Sequence, residues 1–301
     1  MKTINISFNN EQEKITFVNK CEADFEQRLD AVSKQAISSG VTTLLLSGPT
    51  CAGKTTTANK IIHDFHECGK KVTIISFDDF FKERNEDREV VNEDEKIDYD
   101  SVDAIDLELL AECIKHLKAG NVIKVPIFDF VSQKRKGFVE HQIEIDEIII
   151  FEGIQAVYPE ITALFDTEYK GIFINVNDDV CINGEHFTKN EIRLIRRLVR
   201  DRKFRGASPE FTFYLWETVR ENEEKSIFPN KDICEIKIDS FMGYELFLMK
   251  KYLIEVLAVV KKESKYYEKA TKILNKVSHL DEIDYKYIPK GSLYTEFLGK
   301  K

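Results

Sequence analysis

Nowhere in the 301 residues does an apolar run approach the ~18 residues that a membrane-crossing helix requires. The opening stretch, MKTINISFNNEQEKITF, also lacks the uninterrupted apolar segment of a signal peptide, so a cytoplasmic protein without membrane attachment is expected. Six cysteines (Cys21, Cys51, Cys68, Cys113, Cys181, Cys234) form neither a CxxC pair nor a Cys/His cluster, which argues against a zinc site and against a disulfide framework. A basic excess is missing too: 44 Lys and Arg stand against 53 Asp and Glu, a formal net charge of −9, so nucleic acid is not expected as a partner. No internal repeat or low-complexity tract is present.

What is present begins with one motif. Gly48-Pro49-Thr50-Cys51-Ala52-Gly53-Lys54-Thr55 fits GxxxxGKT, the phosphate-binding loop. Residues 41–47 (VTTLLLS) read as a buried parallel strand and residues 56–66 as the start of a helix, so the loop joins a strand to a helix N-terminus. The loop from Gly48 through Pro49 to Thr56, with its backbone N–H groups at every residue except the proline, and the positive end of the helix dipole can hold nucleotide phosphates there. Lys54 can reach the β- and γ-phosphates, and the Thr55 hydroxyl can bind Mg2+.

The length suits one large α/β domain or two small ones. Strand-like runs at 71–76, 147–151, 171–176 and 233–238 alternate with helical stretches at 103–118, 191–204, 209–224 and 243–262, which predicts a mostly parallel sheet flanked by helices. Residues 1–40 hold a short polar strand-like start and an amphipathic helix over 25–37, too little for a domain. Residues 84–100 are acidic and aperiodic, either a lid or substrate loop or a solvated excursion. Residues 122–145 read as a β-hairpin added to the sheet's edge.

A phosphoryl transferase needs a group for the acceptor hydroxyl, a carboxylate for the metal and cations for the moving phosphoryl. Asp78 and Asp79 end the second strand, where one can face the phosphates as base while the other caps the following turn. Glu152 ends the strand IIIF among apolar neighbours, the position of a metal-linked acid in phosphate-loop proteins. Arg193, Arg197 and Arg200 share one helical face, and Arg202, Lys203 and Arg205 sit near a helix junction at Gly206 and Ser208-Pro209. In an acidic protein this cluster suggests a small anionic ligand and a lid over 189–208 that closes on phosphate.

These residues resemble the uridine kinase and phosphoribulokinase family, most closely its bacterial uridine kinase-like branch. The matching segments are GPTCAGKT, SFDDFF, DYDSVDAIDLELL, VPIFDF, IIFEGI, RLIRRLVRDRKFRG, WETVRENEEKSIFP and YIPKGSLYTEFLG, running from about residue 35 to the end. The resemblance implies a P-loop kinase domain over 41–262, preceded by an N-terminal extension (1–40) and followed by a C-terminal helix and tail (263–301) packing on it. It implies ATP and Mg2+, with a nucleoside or similar alcohol as small-molecule substrate. Asp78 matches the family's catalytic base, and with Thr55 and Glu152 lies at the metal. Asp100 matches the residue that holds the ribose hydroxyls, with Tyr99 in the place of an aromatic beside the base. Arg197, Arg200 and Arg205 match lid arginines that approach substrate and phosphates. Phe128 and Gln133 stand where eukaryotic-type uridine kinases carry Tyr and His at the acceptor, and Ala207 where they carry a second Arg.

Three functions therefore stay open: a uridine- or cytidine-like nucleoside kinase, a kinase of another sugar, phosphosugar or vitamin-like alcohol, and a regulatory module that binds ATP without transfer. Intact Lys54, Asp78 and Glu152 argue against the last. The oligomeric state is open, a homo-oligomer included.

Overall fold

The computed structural model describes residues 1–83, 100–129, 132–166 and 169–299. The strands are β1 (Lys2–Ile4), β2 (Thr43–Ser47), β3 (Val72–Ser76), β4 (Val122–Asp129), β5 (Lys134–Gln142), β6 (Ile148–Glu152), β7 (Lys170–Asn175), β8 (Val180–Ile182), β9 (Glu185–Phe187) and β10 (Ile236–Asp239). The α-helices are α1 (Glu11–Ser38), α2 (Lys54–Glu67), α3 (Leu107–Lys118), α4 (Pro159–Thr162), α5 (Lys189–Arg205), α6 (Pro209–Asn222), α7 (Glu245–Leu257), α8 (Tyr267–Ser278) and α9 (Thr295–Leu298).

Among the described residues, five strands pair in parallel in the order β10-β7-β2-β6-β3. β2 lies centrally, with β6 on one side and β7 on the other, so the crossovers diverge beside it. The crevice this leaves at the strands' carboxyl ends is where ligands bind in such sheets. Both faces are covered, which is why these strands read as unbroken apolar runs. The pleat sends Leu44, Leu46, Ile150 and Ile172 to a core shared with α1, α2, α5 and α7, and Leu45, Ile149, Phe151 and Phe173 to a second core with α3 and α4. Each such buried side chain contributes about 1.5–3 kcal/mol relative to exposure.

Three features differ from the sequence expectation. The first helix begins at Glu11, not near residue 25: the Asn10 side chain accepts the Glu13 N–H and caps it, and its early turns bury only a thin stripe that includes Val18 and Cys21. β1 pairs with β8, and β8 with β9, in a small separate sheet that ties the N-terminus to residues 180–187. The hairpin β4–β5 is its own two-stranded ribbon and adds no strand to the main sheet. Side chains pin it instead: Glu147 accepts from Thr73 Oγ1 at 2.6 Å and lies 2.8 Å from His141 Nε2.

One hydrophobic core runs from Val18 through the sheet to Leu298. Among the described residues, the N-terminal extension and the C-terminal tail are thus packed into the same core as the strands and form no separate core.

Candidate active site

The loop from Gly48 to Thr55 joins β2 to α2, as its pattern requires. Gly48 is held against β7 so closely that a Cβ there would lie 2.2 Å from the Ile174 carbonyl oxygen. Further along, Ala52 donates its N–H to Pro49 O at 3.2 Å, and Gly53 enters the helix at φ 95°. Lys54 Nζ donates to the carbonyls of Gly48 (2.9 Å) and Pro49 (3.3 Å). From beneath, the fully buried Arg196 donates to Cys51 O at 3.0 Å and Ala52 O at 3.5 Å while Glu245 takes its Nε at 2.5 Å. Burial works against that guanidinium's charge, but Glu245 outweighs it and holds the group above its ordinary value.

The two aspartates after β3 diverge. Asp79 turns to the hairpin and accepts the Phe128 N–H at 3.4 Å. Asp78 faces the cleft, reachable by water through the cavity yet ringed by protein. Desolvation there, then the charge of Glu152, with smaller pushes from Asp100 and Asp79 against the pull of Lys54, raises its carboxyl to about 6. Glu152 is in register with Ser76 across β6 and β3. Ser76 links the two acids: its hydroxyl donates to Glu152 Oε1 at 3.1 Å and accepts the Asp78 N–H at 3.3 Å.

On α5, the capping box of Thr188 and Glu191 starts the helix and Gly206 ends it. Its basic residues divide: Arg193, Arg196 and Arg197 are buried and Arg200 is half-buried, whereas Arg202, Lys203 and Arg205 are exposed. Arg193 is fully buried on Glu223, with its guanidinium 5.3 Å from the Trp216 ring, and burial lowers it to about 10 against the pull of Glu223. Packing of Ile192, Ile195, Leu198 and Val199 fixes the helix in the core, and from Arg197 onward its other side faces the cleft. There Asp201 gathers three arginines: Arg197 Nε at 3.2 Å, Arg200 at 2.7 and 2.9 Å, and Arg205 at 3.6 Å.

A cavity of about 870 Å³ brings these groups together. Its walls include Thr50, Cys51, Ala52, Gly53, Lys54, Thr55, Asp78, Asp100, Phe128, Gln133, Glu152, Arg197, Arg200 and Arg205. Gly48, Pro49 and Thr56 adjoin it from the loop and the first turn of α2, whereas Tyr99 and residues 84–98 lie outside the described residues. Phe128 meets Phe81 edge-on, with ring centroids 5.8 Å apart. Among the described residues no cluster of three His, Cys, Asp or Glu forms a ready-made metal cage. The Thr55 hydroxyl and the mutually repelling carboxylates of Asp78 and Glu152 nonetheless fit Mg2+, which binds through one or two carboxylates plus phosphates and water.

Sequence reasoning missed Ser76, Phe81, Arg196, Asp201 and Glu296, and the α6 side chains Leu215, Thr218 and Asn222 that wall the cavity. A serine ending a strand two residues before an aspartate was a readable signal. The others carry none, because their roles come from contacts made across the fold.

Comparison with known proteins points to one family. The model of the Phosphoribulokinase / Uridine kinase family matches residues 44–244. A uridine kinase of Clostridium novyi (strain NT) is 36% identical over 198 residues, covering 64% of this chain and 84% of that protein. A uridine kinase of Clostridium tetani (strain Massachusetts / E88) is 33% identical over 210 residues, covering 69% and 88%. Uridine-cytidine kinase A of Dictyostelium discoideum is 31% identical over 193 residues, 63% of this chain and 34% of that longer protein.

Proposed function

Because the chain belongs to the phosphoribulokinase and uridine kinase family, and so is a phosphotransferase acting on an alcohol, we propose that it transfers the γ-phosphate of ATP to a hydroxyl of a nucleoside. The observation that carries this reading is the meeting of Asp78, Glu152, Lys54 and the Asp201-held arginines around one cavity. Asp78, poised near 6, is mostly ionised at neutral pH and accepts the acceptor hydroxyl's proton. The acceptor oxygen bonds to the γ-phosphorus as the bond to the β,γ-bridging oxygen breaks. Lys54, Arg200 and Arg205 offset the charge of the phosphoryl in transit, and the loop N–H groups orient the chain of phosphates. Thr55, Glu152 and Asp78 would hold Mg2+, which when bound supplies further charge neutralisation. Asp100, Arg197, Phe128 and Gln133 line the acceptor side.

A second acceptor class is favoured by one observation. Phe128 brings a ring packed on Phe81, without a hydroxyl, to the acceptor wall, and Gln133 stands at the hairpin tip with φ 55°. Such a wall also suits a sugar, phosphosugar or vitamin-like alcohol. ADP release measured across nucleosides and non-nucleoside alcohols with MgATP tests both: a nucleoside among the best acceptors is expected. A response to non-nucleosides alone would replace the first reading with the second. Tight ATP binding with no acceptor-stimulated turnover would leave only a binding module.

A further inference from the structure

Glu296 places a carboxylate where the loop's chemistry calls for an external anion. The C-terminal segment lies beside the phosphate loop: Leu293 fills the space over Gly53, where a Cβ would come 2.4 Å from Leu293 Cδ1. Tyr294 is buried and donates its hydroxyl at 2.9 Å to Glu245, the same carboxylate that holds Arg196 under the loop. The Phe297 ring lies 5.4 Å from the Arg196 guanidinium. These buried anchors aim Glu296, which stands among the cavity walls, at the first turn of α2. Its Oε2 accepts from Thr56 Oγ1 at 3.0 Å and from the Thr56 N–H at 3.3 Å.

That N–H is one of the first-turn donors that no helical carbonyl can take, at the positive end of the helix dipole. It is therefore a natural seat for a phosphate oxygen of a bound nucleotide. Glu296 also acts on Arg200: burial works against that cation, and Cys51, Asp201 and Glu296 outweigh it. One carboxylate thus serves two of the groups a phosphate chain would use. A phosphate oxygen and a carboxylate oxygen cannot both sit about 3 Å from the same amide without strong repulsion.

We propose that Glu296 is a built-in competitor of the nucleotide's phosphates, holding the Thr56 donors in the nucleotide-free protein and turning away when a nucleotide docks. Nucleotide affinity is then set against the seating of the C-terminal segment. The inference rests on the reading of the loop as a nucleotide site.

Equilibrium titration of the full chain with MgATP, without acceptor, tests it in the wild type, Glu296→Gln and Glu296→Ala. Both variants are expected to bind MgATP about two- to thirtyfold more tightly, the range for one charge at a helix N-terminus. Thermal unfolding without nucleotide checks that each variant is folded, with Glu296→Ala melting below wild type for loss of the Thr56 contact. Unchanged or weaker affinity in both folded variants overturns the proposal while leaving the kinase reading intact. If neither wild type nor variants bind MgATP, the kinase reading fails and the inference with it.

Discussion

The Asp201 carboxylate takes both Nε and Nη2 of Arg200, at 2.9 and 2.7 Å, and is itself only 3% exposed. Arg197 and Arg205 converge on the same group, so a single acid spaces and aims three cations that would otherwise repel one another.

Asp201→Asn should therefore disorder all three. We expect kcat/KM to fall by about 10²-fold, the scale of a small misplacement of charge-stabilising groups. Stability should drop by about 2–3 kcal/mol, less than the loss for a fully buried pair because the arginines open onto the cavity. Steady-state kinetics well below the melting temperature, alongside urea unfolding, separate the two effects. Native kcat/KM in the folded variant would show that the arginines aim themselves.

Asp78→Asn should lower turnover by roughly 10²- to 10⁴-fold, the usual contribution of a general base. The same change should leave the fold as stable or more so, because it removes a carboxylate from a site that disfavours its charge. Turnover and melting temperature moving in opposite directions is the expected signature. A loss of both would assign Asp78 a structural role.

The raised Asp78 carboxyl fixes the sign of two pH effects in the nucleotide-free protein. With a folded value near 6 against an unfolded value of about 3.9, its contribution to stability is present below about pH 4 and lost as pH rises through 6. On the proposal that Asp78 is the base, catalysis runs the other way, since a base works only when ionised, and kcat/KM should fall below about pH 6. Urea midpoints of wild type against Asp78→Asn between pH 4 and 7, with a kcat/KM profile over the same range, test both slopes.

Gly48→Ala should disable the loop through its backbone. The added methyl would meet the Ile174 carbonyl oxygen at 2.2 Å, and β7 is fixed on both sides by β2 and β10. Either the loop lifts from the sheet or the sheet shifts, at about 1–3 kcal/mol or more. Loss of MgATP binding in a folded variant is the expected outcome, read by titration and circular dichroism. Native affinity would mean that the loop tolerates displacement from β7.

The phosphate loop and the strands of the main sheet were legible because their signals are local: apolar runs bounded by turns, and glycines at fixed spacing before a lysine. The first half of α1 was not, since its polar turns bury little beyond Val18 and Cys21 and its start depends on the Asn10 cap. The small β1–β8–β9 sheet escaped because its parallel pair joins residues nearly 180 positions apart. The hairpin's residues were readable, but its register against the sheet was not, because side chains such as Asp79, Thr73 and Glu147 hold it in place of a backbone ladder.

By itself the sequence determined the strand–loop–helix unit, the acids at the strand ends and the presence of a cationic helix, since each follows from residue type and spacing. Only the tertiary structure decided which of those charges face the cleft. Arg193 and Arg197 stand one helical turn apart, yet burial against Glu223 removes the first from the site and Asp201 turns the second towards it. Likewise Arg196 became the loop's anchor, and Glu296 a rival for its donors, through contacts more than a hundred residues away in the chain. Charge is written in the sequence, but its desolvation and its partners are set by packing, and these determine what each charge can do.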